Sequence, residues 1–340
     1  MAKVAVTGAL YYSGVLRHVR RKQMCDRALV LMYHRVCGPQ EGVQDYSPNG
    51  MSVTPREFRM QMQFIRQRYD VVPLGRVVAA VRGEAEFTAG MCAVTFDDGW
   101  RDVYLHAFPV LREMEIPATV FLTAGFATGR TWFWEERSKY LLALIHGSCS
   151  MCASRVETVV REALAEFGLE GLLSVSRGRL PGYLSAQGRR LNQLDTSGRE
   201  RLMSTLEGLA ALLAPSEPRP FMDASEVGEM ASEGIEFGNH TDSHPNLTEL
   251  GVDDLRGEIA SAADRIRQLA GGAPVHFAYP YGKYDQRVRD EVQALGARSA
   301  CTTRFGLVQR DADPFALNRV NMCSPVAGRG PLFAARILGF

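Results

Sequence analysis

The chain has 340 residues, with 39 Lys+Arg against 38 Asp+Glu and 46% hydrophobic residues. A net charge of +1 speaks against a nucleic-acid partner, and 23% charged with 9% aromatic residues excludes wholesale disorder. No apolar run approaches the roughly 18–20 residues of a membrane span, so the sequence reads as one large α/β domain or two ordinary ones.

Residues 1–27 form an expected N-terminal helical segment. Residues 1–16 are mildly apolar and the basic cluster Arg17, Arg20, Arg21 and Lys22 follows them, the reverse of a secretory signal. The segment either packs on the domain or makes weak peripheral contact with anionic lipid. A cytoplasmic protein, at most touching the inner face of the membrane, is expected. The seven scattered cysteines fit a reducing compartment better than a disulfide framework, and the lone pair Cys149 and Cys152 lacks the second pair that a zinc ribbon needs.

From residue 28 short β-rich runs alternate with amphipathic helices, at 28–36, 91–99, 118–125, 235–240, 275–282, 300–303 and 316–320. Thr54-Pro55-Arg56-Glu57 is a capping box with Pro at the first helical position, and Phe58, Met62 and Ile65 share one face behind it. Residues 253–270 place Leu255, Ile259, Ala262, Ile266 and Leu269 at helical spacing, and Gly271-Gly272 stops them. Such alternation predicts a parallel sheet with right-handed crossovers. Residues 126–220 break the rhythm with four helix-prone stretches, so they are expected to be a helical insertion between a first part, 28–125, and a second part, 221–325; residues 326–340 are read as a tail. The insertion opens on Trp132, Phe133 and Trp134 beside Glu135 and Glu136, either a sugar-stacking wall or the apolar foot of the insertion.

Two patterns carry chemistry. Thr95-Phe96-Asp97-Asp98-Gly99 ends a strand in adjacent carboxylates, which repel when both are ionised and so favour a bound cation; the alternative is an ordinary turn. His240-Thr241-Asp242-Ser243-His244-Pro245 puts two imidazoles four apart after another strand. Thr241 stands where a metalloprotease helix would carry Glu, and Pro245 disfavours helix at His244, so a strand-to-loop metal site is the better reading. Two imidazoles and one carboxylate leave open positions on a divalent ion, the composition of a hydrolytic site.

These motifs together resemble the polysaccharide deacetylases with the NodB homology domain, carbohydrate esterase family four. Phe277-Ala278-Tyr279-Pro280-Tyr281-Gly282 is similar to a variant of that family's third motif. The resemblance implies a distorted (β/α)7 barrel, a carbohydrate substrate and a divalent metal, zinc by default with other first-row ions acceptable. It implies Asp97 as general base, Asp98, His240 and His244 as metal ligands, and the Tyr281 backbone N–H as an oxyanion donor. Ala278 replaces the Arg that usually orients the base, and Arg319 is the candidate substitute. No histidine follows His276 to act as the late general acid. His34, ending the first strand, resembles the circularly permuted arrangement of exopolysaccharide deacetylases. Removal of an N-acetyl group from a sugar or polysaccharide is the expected reaction; a small or lipid-linked sugar amide, and a barrel that binds carbohydrate without turnover, are the alternatives.

Overall fold

Seven parallel strands close into a ring in the computed structural model, which describes residues 8–9, 11–37, 51–129, 134–149, 154–191, 193–213, 219–328 and 330–339. The strands are β1 (Arg27–Tyr33), β2 (Met91–Phe96), β3 (Ala118–Leu122), β4 (Glu236–Asn239), β5 (His276–Ala278), β6 (Ser299–Phe305) and β7 (Leu317–Asn321). They pair in chain order from β1 to β7, and β1 also pairs with β7, which shuts the barrel. The register is set at β1, where Leu31 lies opposite Val94 on one side and Val320 on the other. Two short strands flank the ring, Asp70–Val71 parallel to β2 and Val308–Gln309 antiparallel to β1. β2 and β3 are buried along their whole length, the pattern of parallel strands covered on both faces. This is the (β/α)7 barrel that the family resemblance implied, built on the parallel sheet that the alternation of strands and helices predicted.

The helices form as their sequences direct. Thr54 accepts from the Glu57 backbone N–H at 3.2 Å while Glu57 accepts from the Thr54 N–H at 2.8 Å, and the helix Pro55–Arg68 buries Phe58, Met62 and Ile65. Tyr33 stacks on Phe96 and meets Phe58 edge-on, so the apolar face of that helix covers β1 and β2. The helix Val252–Ala270 buries Leu255, Ile259, Ala262 and Ile266 and ends at Gly271, whose φ of 75° is the left-handed cap a side chain would resist. Residues 330–336, expected as tail, instead form a helix with Phe333, Ala334 and Ala335 buried. Phe333 meets Phe64 edge-on at 5.4 Å, and that apolar contact holds the segment down.

The chain divides into two compact units, and the larger holds the whole barrel. The second includes Thr131–Arg219. Its helices Trp134–Cys149, Ser154–Ala165, Leu180–Leu191 and Thr196–Leu213 share a core of their own, with Leu141, Ile145, Leu164, Leu184, Leu202 and Leu206 almost wholly buried. Trp134 packs partly buried against that core under the guanidinium of Arg199, whereas Trp132, Phe133 and Cys152 lie outside the described residues. Cys149 is buried.

Candidate active site

A parallel barrel brings the C-terminal ends of all its strands to one lip, where catalytic side chains of such folds gather. Asp97 and Asp98 follow β2, and His240 follows β4. Asp98 takes a φ of 75°, and Gly99 after it a φ of 84°; a Cβ on Gly99 would stand 2.4 Å from a Leu122 methyl, so glycine is required there. Thr241, His244 and Tyr281 also have positive φ, so four of the five such non-glycine residues among those described lie at this lip. Backbone held in that region stores strain and persists where surrounding contacts over-determine it.

Those contacts are present. Asn239 accepts from the Thr241 N–H at 2.8 Å, and Thr241 Oγ1 accepts from the His244 N–H at 2.9 Å. Glu258, on the helix Val252–Ala270, accepts from the N–H groups of Asp242 and Ser243 at 3.1 and 2.9 Å and from the Ser243 hydroxyl at 2.6 Å. Arg265, seven residues further along the same helix, lies 2.8 Å from Asp242 Oδ1. The loop carrying both imidazoles is thereby fastened to one helix.

The three side chains converge. Asp98 Oδ1 stands 3.4 Å from His240 Nε2 and 3.6 Å from His244 Nε2, and all three residues are buried. His240 Nδ1 is 2.7 Å from the Ala278 carbonyl, which can only accept; Nδ1 therefore carries a proton, and Nε2 is the ring atom turned toward Asp98, able to donate to it when protonated and to bind a cation when not. Trp100 donates its indole N–H to Asp98 Oδ2 at 2.9 Å, leaving Oδ1 for the imidazoles. Burial alone would raise the Asp98 carboxyl, but the hydrogen bond to His240 and the imidazole charges hold it well below the usual carboxylate range. For His240 burial pushes down while Asp98 and Asp97 push up, and the carboxylates prevail. Burial and the neighbouring His240 push His244 down to about 3, so its imidazole is neutral at physiological pH.

Asp97 is organised differently. Arg319, on β7 and wholly buried, donates to Asp97 Oδ1 at 2.6 Å and Oδ2 at 2.7 Å. Its remaining donors reach the Thr302 carbonyl at 3.0 Å and Thr95 Oγ1 at 3.2 Å. Burial works to raise the Asp97 carboxyl, but the Arg319 charge and the nearby imidazoles outweigh it and keep the group below its ordinary value. His34, just beyond β1, places Nε2 3.9 Å from Asp97 Oδ2. The Tyr281 ring is half-exposed and stands edge-on to His244 at 4.7 Å, on the turn after β5. The lip thus gathers Asp97, Asp98, His240, His244, His34, Tyr281 and, beneath Asp97, Arg319.

A family model for polysaccharide deacetylases matches residues 84–162 and 207–300, more than half the chain. This chain belongs to the polysaccharide deacetylase family. The Bacillus subtilis protein YxkH, named as a polysaccharide deacetylase, is 26% identical over 300 residues, 88% of this chain and 72% of its own length. The peptidoglycan-N-acetylglucosamine deacetylase of Bacillus cereus is 42% identical over 57 residues, 17% of this chain, and the match spans only 21% of that enzyme. IcaB from Ammonifex degensii has the same fold, with a TM-score of 0.58 at 19% identity, covering 92% of this chain and 98% of that one.

Deacetylases of this family are metal-dependent, and the residues at the lip suit a divalent ion. Ligand atoms bound tetrahedrally at about 2.0–2.1 Å stand roughly 3.4 Å apart, close to the 3.4 and 3.6 Å found here between Asp98 and the imidazoles. His240 Nδ1 and Asp98 Oδ2, the polar atoms beside two of these donors, are engaged with the Ala278 carbonyl and the Trp100 indole, which aim them as outer groups around metal ligands do. Trp100, directly after Gly99, is 2% exposed and serves as one of those partners. Asn239 and Glu258 escaped the sequence reading altogether. Asn239 adjoins His240, a position that could have drawn notice, whereas nothing in the helical periodicity distinguishes Glu258 from other outward-facing acids.

Proposed function

We propose that the protein hydrolyses the N-acetyl amide of an N-acetylated sugar or glycan, with zinc as its resident ion. The observation carrying this reading is the pairing of two unlike carboxylates at one lip. Asp98 faces two imidazoles through a single oxygen, while Asp97 is clamped through both oxygens by a buried guanidinium. Bound by Asp98, His240 and His244, a divalent ion supplies Lewis acidity, polarising the acyl carbonyl and making water a better nucleophile near neutral pH. Asp97 stays ionised and accepts the proton of the attacking water; Arg319 fixes its plane and orientation. His34 donates a proton to the departing amine nitrogen. The Tyr281 backbone N–H donates to the oxyanion of the tetrahedral intermediate. One proton is taken and one is given, and the products are acetate and a free sugar amine.

The test is amine release from N-acetylglucosamine oligomers by the zinc-loaded protein, with and without chelator, for the wild type and Asp97→Asn. Loss of roughly 10²–10⁴-fold in the variant is expected for a general base. Glycan binding without amine release at full metal loading would instead favour a carbohydrate-binding barrel, and turnover of monomers in preference to oligomers would favour a small-molecule amide.

A further inference from the structure

A second concave site lies at the end of the barrel where the strands begin. Tyr69 lines it and directly precedes Asp70, which pairs with Met91, the first residue of β2. The catalytic lip is at the other end of the same strand. The cavity encloses about 520 Å³, within the range that holds a small organic ligand. Tyr11, Tyr12, Leu16, Phe64, Ile337 and Leu338 make most of its lining apolar. Arg20 and Arg68 also line it, and among the described residues no acidic side chain is part of its walls. Their guanidiniums lie over aromatic faces, Arg20 at 5.3 Å from the Tyr69 ring centre and Arg68 at 4.3 Å from that of Phe64.

Two further features point to a ligand. Tyr69 is 8% exposed and its hydroxyl is buried without a hydrogen-bond partner, a state that native proteins rarely leave uncompensated. Beside the opening, Tyr12 is 81% exposed and Val15 44%, at the start of the helix Val15–Gln23, which also carries the exposed Lys22. A small soluble anion would use the guanidiniums but leave the apolar volume unexplained. A purely apolar ligand would leave the cations and the Tyr69 donor unexplained. An apolar chain with an anionic head uses both, and exposed apolar side chains among cations are the pattern of a helix that lies in a membrane interface.

We propose that this face docks the protein on an anionic bilayer. One lipid's acyl chain enters the cavity, and its head group meets Arg20, Arg68 and the Tyr69 hydroxyl. Docked so, the protein turns its catalytic lip away from the bilayer, toward glycan that extends into solution.

The test needs no turnover and so stands or falls separately from the deacetylase reading. The full-length, zinc-loaded protein is sedimented with vesicles of phosphatidylcholine alone and of phosphatidylcholine mixed with phosphatidylglycerol. Binding to the mixed vesicles only is expected, weakening with added salt and by about fivefold for each cation removed in Arg68→Ala and Lys22→Ala. Tyr12→Ser with Val15→Ser, both at exposed positions that leave the thermal melt unchanged, is expected to reduce binding further. Tyr69→Phe keeps the ring and is expected to weaken lipid binding while preserving the fold. Equal binding to neutral vesicles, or none to either kind, would overturn the proposal. So would calorimetric uptake of a soluble long-chain fatty acid without vesicle association, or a dimer that Tyr12→Ser dissociates, which would make the face an interface between copies. Vesicle binding that appears only after deletion of residues 1–7 would show the chain's own start occupying the cavity, and would overturn it as well.

Discussion

Replacing Arg319 with Gln tests whether the guanidinium is what keeps Asp97 usable as a base. The wild-type pair is fully buried and bidentate, with hydrogen bonds of 2.6 and 2.7 Å. Removing one partner of such a pair costs about 3–5 kcal/mol if the other stays charged. The carboxyl can escape that cost by taking up a proton, since burial is the largest influence on it and acts upward. Each unit of rise corresponds to about 1.4 kcal/mol. In the wild type the Asp97 value is depressed, so its contribution to stability is present above the unfolded value of about 4 and is lost as pH falls through the folded one. In Arg319→Gln the folded value lies above the unfolded one and the dependence reverses: stability declines as pH rises from about 4 to the new value. Thermal melts of the two proteins across pH should therefore diverge as pH increases, and the acid limb of kcat/KM on N-acetylglucosamine oligomers should move upward in the variant. Arg319→Lys, which keeps a charge but not the fork, should fall between them. A melting difference that is constant with pH, together with an unmoved acid limb, would refute the reasoning.

Trp100→Phe keeps the ring's stacking on Phe221 but removes the N–H that Asp98 Oδ2 accepts; zinc affinity measured by competition with a chelator should drop about 10–100-fold with the fold intact. Glu258→Gln leaves one acceptor oxygen for three donors on the 242–243 loop; a weaker Co(II) complex with an altered visible spectrum is expected, and an unchanged spectrum would show that the loop needs no such fastening. His276 is lowered by burial and by Arg298, against the raising effect of Glu236. Its unfolded form takes protons first, so stability should fall by at most about 1.4 kcal/mol per unit as pH drops below roughly 6.5. His276→Asn should flatten that slope in thermal melts.

The parallel sheet was legible because several strands end where a hydrophobic run meets a polar residue, as at Asp97, and some helices carry a cap or a stop, as at Thr54 and Gly271; its closure into a barrel was legible only through the family resemblance. The metal-type cluster was legible because Asp98, His240 and His244 come from two short motifs, each local in sequence. Arg319 could be singled out only through the missing Arg at Ala278, and its pairing with Asp97 depends on β1 and β7 closing the ring, a tertiary fact. Trp100 and Glu258 were obscure for a related reason: an indole N–H or a surface carboxylate gains its meaning from what the fold sets opposite it. The 330–336 helix is short and lies between Gly330 and Gly339, and its packing partner Phe64 lies far upstream, so its sequence alone did not distinguish it from a tail.

The closure of the ring has a consequence for the protein's birth. β1 is translated first of the seven strands, yet one of its two neighbours in the barrel, β7, is the last. Throughout synthesis the nascent polypeptide therefore carries a hydrophobic strand with one unsatisfied flank, the kind of edge that recruits foreign strands. Ribosome-bound chains arrested before residue 317 should be chaperone clients and prone to clump, and release from that dependence should coincide with the emergence of the final strand.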